Sequence, residues 1–346
     1  MSKKYQIILI GPYPPLVGGV STHLFRALPL LLKKGYKAVV ISVNKTDIKN
    51  PNVSYIPALL LPFYLFLQPK SIVHFHVDSL SHLLLSAMLK LRHKTFLTVH
   101  NNRYPTQMLG SSIQVRIKWF LLNKFKKIIC VNPDTKLFLE EKLTNVHNQV
   151  IPAFLPPTKI DKSSVSFIKD YCSKFDYVLS GYAYRFSFFE GEDLYGTDLM
   201  IDLIDRLTKK EINAVLVLLI SMEETPYFGK ITQKIKNLNL EQNILLIDIN
   251  KGVDAVALWQ MSDIYLRPTN TDGNSISILE ALSVGSSVVA SDCVERPESC
   301  ILFRNRDFED FETVVTTSLQ SKSHTYMAPD LSHLFFDLYE DIAQKQ

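Results

Sequence analysis

Short apolar runs and longer segments with helical spacing alternate along the whole chain. In the first half, segments with helical periodicity separate runs rich in β-forming residues, namely YQIILIG, KAVVISV, SIVHFHV, TFLTVH and KKIICVN. The alternation resumes after the prolines at 152–157 with the runs DYVLSGY, INAVLVLLI, NILLIDI, DIYLRPT and SSVVASD. Strands that alternate with helices form parallel sheets covered on both faces. The pattern therefore predicts an α/β protein with two doubly wound, Rossmann-like domains.

The proline-rich segment IPAFLPPT separates the two halves of the chain. Proline stiffens a connection and cannot join a central strand, so we interpret the segment as a linker between domains. We predict one domain over residues 1–155 and a second over residues 156–346, whose last helix could pack back on the first domain. Ligand sites in open parallel sheets lie beyond the carboxyl ends of the strands, so we expect a site in a central cleft that the two domains face.

The composition is that of a globular protein in a reducing compartment. Hydrophobic residues make up 47% of the 346 residues and charged residues 21%, which excludes wholesale disorder. The four cysteines show no metal-type spacing and are too few for a disulfide framework. The apolar N-terminal run lacks a small-residue cleavage site, and the most apolar stretch, residues 58–67, is about half the length of a membrane-spanning helix. We therefore expect a cytoplasmic location.

The charge is distributed unevenly between the two halves. Residues 1–155 contain 20 Lys and Arg against 5 Asp and Glu, whereas the remainder contains 18 against 29. An excess this one-sided indicates that the first half meets an anionic partner such as phosphate, nucleic acid or an acidic lipid surface. The alternative is that the charge serves solubility and attraction between the domains.

The segment SSIQVRIKWFLLNKFKKIIC in the first half mixes cations with aromatic residues. Its cations are Arg116, Lys118, Lys124, Lys126 and Lys127. We interpret the segment as a basic amphipathic helix that could lie on anionic lipid with its aromatic residues at the headgroup level. The alternative is that the apolar face packs on the sheet and the lysines are merely solvated.

Two glycines follow the first predicted strand. Gly18 and Gly19 precede a helix that is expected to begin near Val20. Glycine lets the backbone approach a ligand closely, and the N–H groups of a helix N-terminus favour an anion, so a phosphate could bind there. The alternative is a plain turn with a helix cap at Ser21 or Thr22.

The stretch DIYLRPTNTDGNSISILEALSVGSSVVASD places two carboxylates around a helix start. A strand is predicted to end at Arg267 and a helix to start at about Ser275. Asp272 and Glu280 are eight positions apart on either side of that helix N-terminus. Both could reach one nucleotide diphosphate lying over that N-terminus, with Glu280 accepting hydrogen bonds from a ribose diol. The expected phosphate ligands are the backbone N–H groups around Asn274, Ser275 and Ile276. The alternative is that Glu280 is an exposed helix residue and Asp272 a turn former.

This stretch resembles the motif of glycosyltransferase family 4, in which two acidic residues with seven between them precede an ALxxGxxVVAS-like helix and strand. The first acidic residue is usually glutamate, and here it is Asp272. The segment PYPPLVGGVSTHLFRAL resembles the N-terminal glycine loop of that family, and TVHNNR resembles the place where the family keeps a histidine beside the reacting sugar. The resemblance spans both halves of the chain and implies the two-domain GT-B fold, with an acceptor-binding first domain and a donor-binding second domain.

The resemblance also implies roles for individual residues. Glu280 would hold the nucleotide ribose, Asp272 would contact hydroxyls of the donor sugar, and His100 would face the anomeric centre. Gly18 and Gly19 would lie by the diphosphate. His74 and His76, in VHFHVD, are assigned to opposite faces of a strand and to a structural role.

One segment departs from the family pattern. The family usually places an arginine and then a lysine before the helix that opens the first crossover of the second domain, but Tyr195 stands at the lysine position. Arg185 can supply a cation, and Arg267 or, ranked behind it, Arg296 could compensate by bidentate contact with phosphate oxygens. Either of the last two could instead form a plain surface ion pair.

The resulting prediction is a retaining hexosyltransferase that moves a sugar from a nucleotide diphosphate, with UDP favoured, to a glycan or lipid-linked acceptor in the synthesis of cell-surface polysaccharide or lipopolysaccharide. We expect no metal and no other cofactor, because the sequence shows no dense carboxylate or histidine cluster and the family uses protein charge for the leaving diphosphate. We expect a possible peripheral contact with the inner face of the cell membrane, and no nucleic-acid partner. The alternatives are a sugar-nucleotide epimerase of the same architecture and a non-catalytic partner subunit.

Overall fold

The computed structural model of the chain describes residues 5–14, 18–46, 48–100, 104–146, 150–184, 186–223, 225–272, 275–321 and 332–343. The chain forms two compact units, Met1–Thr158 with Asp330–Gln346, and Lys159–Pro329. The division lies three residues beyond the boundary expected at residue 155. Residues 330–346, which contain the last helix, belong to the first unit, and the second unit ends at Pro329.

The first unit contains a six-stranded parallel sheet in the order β3-β2-β1-β4-β5-β6. The strands are β1 Gln6–Gly11, β2 Lys37–Ser42, β3 Val53–Tyr55, β4 Ser71–Phe75, β5 Lys94–Val99 and β6 Lys127–Cys130. The helices between and after them are α1 Gly19–Lys33, α2 Leu61–Leu67, α3 Leu80–Leu89, α4 Tyr104–Gln107, α5 Ile113–Leu122 and α6 Pro133–Glu140. Buried apolar clusters cover both faces of the sheet.

The second unit repeats this strand order. Its strands are β7 Tyr177–Ala183, β8 Phe188–Phe189, β9 Glu192–Asp193, β10 Ala214–Ile220, β11 Ile244–Asp248, β12 Ile264–Arg267, β13 Ser287–Ser291 and β14 Ile301–Phe303. The parallel sheet has the order β11-β10-β7-β12-β13-β14, and β8 and β9 form a small antiparallel hairpin. All seven residues of β10 are buried, as expected for a strand covered on both faces. The helices are α7 Ser166–Cys172, α8 Thr197–Lys209, α9 Pro226–Asn237, α10 Ala255–Met261, α11 Ile276–Ser283 and α12 Phe308–Ser321, with 3₁₀ turns at Lys162–Val165 and Ile249–Lys251.

The prediction of two Rossmann-like parallel sheets is confirmed. In each sheet the strand order reverses between the first strand and the fourth, β1 and β4 in one unit and β7 and β12 in the other. Ligands of such sheets bind beyond the carboxyl ends of the strands at this reversal. Candidate ligand sites therefore lie at the carboxyl ends of β1, β4 and β5 in the first unit, and of β7, β12 and β13 in the second.

The last helix, α13 Ser332–Ala343, packs in the first unit. Its side chains Phe335, Leu338 and Tyr339 are buried in the same apolar cluster as Leu9 and Phe96 of the sheet. The first core is therefore completed by residues that follow the whole second unit in sequence. Within the described segments, no helix combines the length and apolar character needed to cross a bilayer.

Two local interpretations were wrong: the possible helix cap at Ser21 or Thr22, and the length of the basic helix. Helix α1 begins at Gly19 with Gly18 as its N-cap, and Ser21 lies inside the helix, where its hydroxyl donates to the Gly18 carbonyl at 2.9 Å. The predicted basic helix ends at Leu122, so Lys124, Lys126 and Lys127 lie in a turn and at the start of β6. In the turn after α5, the side chain of Phe125 is buried in the core.

Candidate functional site

The carboxyl end of β12 carries a buried ion-pair cluster centred on Asp272. Arg267 donates from Nε to Oδ2 of Asp272 at 3.0 Å and from Nη2 to Oδ1 at 3.1 Å. Arg296 donates from Nη1 to Oδ2 at 2.8 Å. The side chains of Arg267 and Asp272 are each 9% exposed and that of Arg296 is 1% exposed. The alternative that these arginines form a plain surface ion pair was therefore wrong.

Two guanidinium groups share one carboxylate in this cluster. Burial alone would raise the pKa of Asp272, but the charges and hydrogen bonds of Arg267 and Arg296 outweigh it and lower that pKa below its usual value. Nη1 of Arg267 is buried and has no hydrogen-bond partner among the residues that the structure describes. A buried cationic donor without an acceptor is costly, so the site is suited to an anion that approaches Nη1.

Arg296 ties the ends of two neighbouring strands together. Its Nε donates to the Ser291 carbonyl at the end of β13 at 3.1 Å, and its Nη2 donates to the Thr269 hydroxyl after β12 at 2.9 Å. Ser291 in turn donates its hydroxyl to the Thr269 carbonyl. Arg296 therefore has a structural role in the loop that carries Asp272.

Tyr195, at the position of the expected lysine, lies beside Arg267. The guanidinium carbon of Arg267 is 5.4 Å from the centroid of the Tyr195 ring. The next residue, Gly196, has a φ of 65° and is the N-cap of α8. A side chain at residue 196 would collide with the Pro268 carbonyl, so only glycine lets the start of α8 lie against the end of β12. Tyr195 supplies no cation but lies against one.

The acidic residues before α8 are engaged by local partners. Asp193 accepts a hydrogen bond from the Thr197 backbone N–H at 2.9 Å, at the start of α8, and burial raises its pKa. Glu192 and Asp198 pair with Arg306 at 2.7 and 2.6 Å. Asp193 and Glu192 before α8, and Asp198 in its first turn, therefore have partners within the second unit.

Glu280 is buried in α11, with 8% of its surface exposed. The Trp259 indole N–H donates to Oε2 of Glu280 at 3.4 Å. The alternative of an exposed helix residue was therefore wrong. The start of α11 lies close to its predicted position. The helix begins at Ile276, one residue after the predicted start, and the side chain of its N-cap Ser275 makes no capping hydrogen bond. The first-turn N–H groups have no intrahelical partners, and phosphate binding there stays a prediction. Asn274 and Arg185 lie outside the described residues.

In the first unit, His100 belongs to a group of histidines, and Gly18 caps helix α1, which carries another member, His23. Apart from its chain neighbours, no atom of the described residues lies within 4 Å of the position that a Gly18 side chain would take. His76 and His100 directly follow β4 and β5, and Nδ1 of His76 lies 2.9 Å from Nε2 of His100. His23 of α1 joins them, with its ring centroid 5.1 Å from each of the other two.

The assignment of His74 and His76 to opposite faces was wrong. Side chains alternate along a strand, so residues two apart share a face, and the two ring centroids lie 4.2 Å apart. His74 is held by the Tyr339 hydroxyl at 2.6 Å and the Thr98 hydroxyl at 2.8 Å. Nε2 of His76, by contrast, is buried without a partner.

Burial lowers the pKa values of this histidine group. The pKa of His23 falls to about 4 and that of His74 to about 3, and those of His76 and His100 lie well below 6.5. All four are therefore neutral near pH 7. The ligand atoms of His23, His76 and His100 lie within 4.8 Å of one another, close enough to hold a metal ion. The expectation that the chain has no histidine cluster was wrong.

Residues 190–302 match the family model described as glycosyl transferases group 1. This region contains Tyr195, Arg267, Asp272 and Glu280. A search of curated proteins by sequence found no match. These four residues therefore lie in the part of the chain that the glycosyl transferase family model recognises.

Several solved structures are similar to this chain over nearly its whole length. A glycosyltransferase from Rickettsia africae is 16% identical, with a TM-score of 0.70 and coverage of 99% of this chain and 100% of that one. HepE of Anabaena in complex with UDP-glucose is 16% identical, with a TM-score of 0.63 and coverage of 97% and 99%. The catalytic domain of starch synthase IV from Arabidopsis thaliana, bound to ADP and acarbose, is 12% identical, with a TM-score of 0.66 and coverage of 99% of both chains. The chain has the GT-B fold, and together with the family match these likenesses support a transferase.

Several residues of the Asp272 cluster and of the histidine group were not predicted from the sequence. Thr269 and Ser291 carry no pattern that separates them from ordinary loop and strand residues. His23 left a signal, because it lies on the face of the predicted helix α1 that carries Leu24, Ala27 and Leu31, all buried. A histidine on such an apolar face predicts a buried polar partner.

Proposed function

We propose that the protein is a retaining glycosyltransferase of family 4 that moves a hexose from a nucleotide diphosphate, with UDP favoured, to a glycan or lipid-linked acceptor. The observation that carries the proposal is the buried, unpartnered Nη1 of Arg267 at the carboxyl end of β12. The match of residues 190–302 to glycosyl transferases group 1 and the likeness to HepE in complex with UDP-glucose support the same donor class.

The donor diphosphate is bound by Arg267 and by the N-terminus of α11. Arg267 takes the place of the missing lysine, because its guanidinium is fixed by Asp272 and lies against Tyr195. A helix N-terminus adds backbone N–H donors and a favourable dipole for the phosphates. Glu280 holds the ribose hydroxyls. The remaining predicted phosphate ligands are Arg185, Asn274 and the glycines at 18 and 19.

Asp272 orients Arg267 and contacts hydroxyls of the donor sugar. Each carboxylate oxygen has two lone-pair sites, so a carboxylate that accepts from two guanidinium groups can also accept from a hydroxyl. The charge of Asp272 stays on the carboxylate because its pKa is lowered. The hydroxyl contact and the fixed arginine would place the sugar and the diphosphate together.

In the reaction, the bond between the anomeric carbon and the diphosphate oxygen breaks, and the acceptor oxygen bonds to the same face of the sugar. The proton of the acceptor hydroxyl passes to the departing diphosphate, whose charge is stabilised by Arg267 and the helix N–H groups without a metal. No carboxylate acts as nucleophile. His100 faces the anomeric centre as a neutral imidazole, since burial lowers its pKa.

The acceptor is presented at an anionic membrane surface on the cytoplasmic side, in the synthesis of surface polysaccharide or lipopolysaccharide. The excess of basic residues in the first half supports this location. The four cysteines are free, as in a reducing compartment. We propose no nucleic-acid partner.

A panel of labelled nucleotide sugars tests the proposal. Slow donor hydrolysis without acceptor, or transfer to a lipid-linked acceptor, is the expected result. Interconversion of the sugars would assign the protein to the epimerases instead. Donor binding without any turnover would assign it as a partner subunit.

A further inference from the structure

Helices α2, α3 and α5 of the first unit expose large apolar side chains. Helix α3 packs against both of the others. Six exposed residues, five on these helices and Leu91 in the turn after α3, are each at least 60% exposed. They define what we name the apolar face: Phe63, Phe66, Leu67, Met88, Leu91 and Phe120. Soluble monomers rarely expose this many large apolar side chains on neighbouring elements, and such a surface marks an interaction site.

The residues of the apolar face are different from the residues that α2 and α3 bury in the core. Helix α2 buries Leu61 and Leu65, and α3 buries Leu83, Leu85 and Leu89, on the side that meets the sheet. Both helices are therefore apolar on the core side and also on the opposite side. An amphipathic surface helix would carry polar residues on that second side.

Cations flank the apolar face. Residues 56–127 contain ten Lys and Arg and only one acidic residue, Asp78. The Arg92 guanidinium carbon lies 5.3 Å from the Phe66 ring centroid, and Lys124 Nζ lies 4.2 Å from that of Phe120. Aromatic and aliphatic side chains interleaved with lysine and arginine are the composition of surfaces that lie in the interface of an anionic bilayer.

A second copy of the chain fits this face less well than a bilayer does. In a twofold dimer the same patch lies on both sides, so the basic residues would face one another. An anionic bilayer offers apolar depth for the six side chains and negative charge for the cations around them.

We propose that the apolar face of α2, α3 and α5 docks on a bilayer that contains anionic lipid, with its six side chains at the boundary of headgroups and acyl chains. Arg92 and Lys124 contact lipid phosphates. The inference rests on the proposed function only in that the membrane presents the acceptor. It differs from docking by a basic helix alone, because apolar insertion persists when salt screens the charges.

The test is co-sedimentation of the full chain with vesicles of phosphatidylcholine alone or mixed with phosphatidylglycerol. Wild type should bind the mixed vesicles and retain part of that binding at high salt. Phe63→Ser with Leu67→Ser should reduce binding at least about tenfold, since transfer of apolar side chains drives insertion. The matched control is Phe167→Ser in the second unit, 53% exposed, which should bind like wild type.

Equal binding of the double variant and wild type would overturn the proposal. So would a wild-type dimer, detected by light scattering and lost in the double variant, in the absence of vesicle binding. An unchanged thermal unfolding curve shows that the double variant is folded. Donor hydrolysis is measured alongside: vesicle binding without hydrolysis in wild type would count against the proposed enzyme and leave the docking face in place.

Discussion

Arg267 donates two hydrogen bonds to Asp272, at 3.0 and 3.1 Å, and its third nitrogen, the buried Nη1, has no partner within the described segments. The carboxylate fixes the plane of the guanidinium, so the direction of the remaining donor is set before any ligand arrives. A cation prepared in this way loses little side-chain entropy when an anion binds.

Replacing Arg267 should weaken donor binding. Arg267→Ala removes the unpartnered donor and its charge, and we expect a loss of about 1.5–3 kcal/mol in affinity for UDP, the range for hydrogen bonds to charged groups. Isothermal titration calorimetry measures it. The matched control is Arg304→Ala, whose side chain is 71% exposed in the same unit and which should keep wild-type affinity. Wild-type affinity in Arg267→Ala would remove this arginine from the phosphate site.

Glu280→Gln should weaken binding of the nucleoside diphosphate by about 1–3 kcal/mol, because charge-assisted hydrogen bonds to the ribose are lost. The substitution keeps the shape of a side chain that is buried beside Trp259, so the fold should survive. Comparison of the affinities for UDP and for inorganic diphosphate isolates the ribose contribution. If Glu280→Gln lost the same affinity for UDP and for inorganic diphosphate, a contact with the ribose would be contradicted.

Transfer should not require a divalent ion at the diphosphate, since Arg267 and the N-terminus of α11 supply the stabilising charge. Activity in excess EDTA should stay within about twofold of the untreated rate. Loss of activity that magnesium or manganese restores would refute the prediction. Restoration by zinc alone would point instead to the group of His23, His76 and His100.

Stability should fall as the pH is lowered through the range below 6.5. The pKa of His23 is about 4 in the folded protein against an ordinary value of 6.5, so the unfolded chain takes up a proton that the folded chain does not. The free energy of unfolding should decrease by up to about 1.4 kcal/mol per pH unit for each such histidine. For His23 the decrease ends near pH 4. Above pH 6.5 the histidine is neutral in both states and contributes no slope.

Urea unfolding at pH 7 and pH 5.5 measures this dependence. His23→Gln should show a smaller pH effect than wild type, whereas His333→Gln, at an exposed position outside the histidine group, should match wild type. An identical pH slope in wild type and His23→Gln would show that the buried histidine is not the source.

The sequence predicted the strands well because each is an apolar run bounded by polar residues. The end of β12 at Arg267 and the start of α11 within one residue of Ser275 followed from that pattern. The pairing of Arg296 with Asp272 did not, since 24 residues separate them and the contact exists only once β13 lies beside β12. The three-residue strand β3 gave too short a pattern to detect.

The first unit was harder to predict in detail than the second. Helix α5 ends at Leu122 and the side chain of Phe125 is buried in the core, neither of which a run of mixed basic and apolar residues reveals. His23, His76 and His100 come from three separate elements, and only the sheet brings them together. Helical or strand periodicity describes neighbours within one element, so contacts between elements lay beyond it.

The return of α13 to the first unit sets an order of events during synthesis on the ribosome. Residues 159–329 form a continuous stretch, so the second unit can reach its full set of strands and helices while the chain is still being extended. The first unit, although translated earlier, lacks Phe335, Leu338 and Tyr339 until residues 332–343 have emerged. The half of the protein that is made first is therefore the half that matures last, and until then it exposes the apolar surface that α13 will cover.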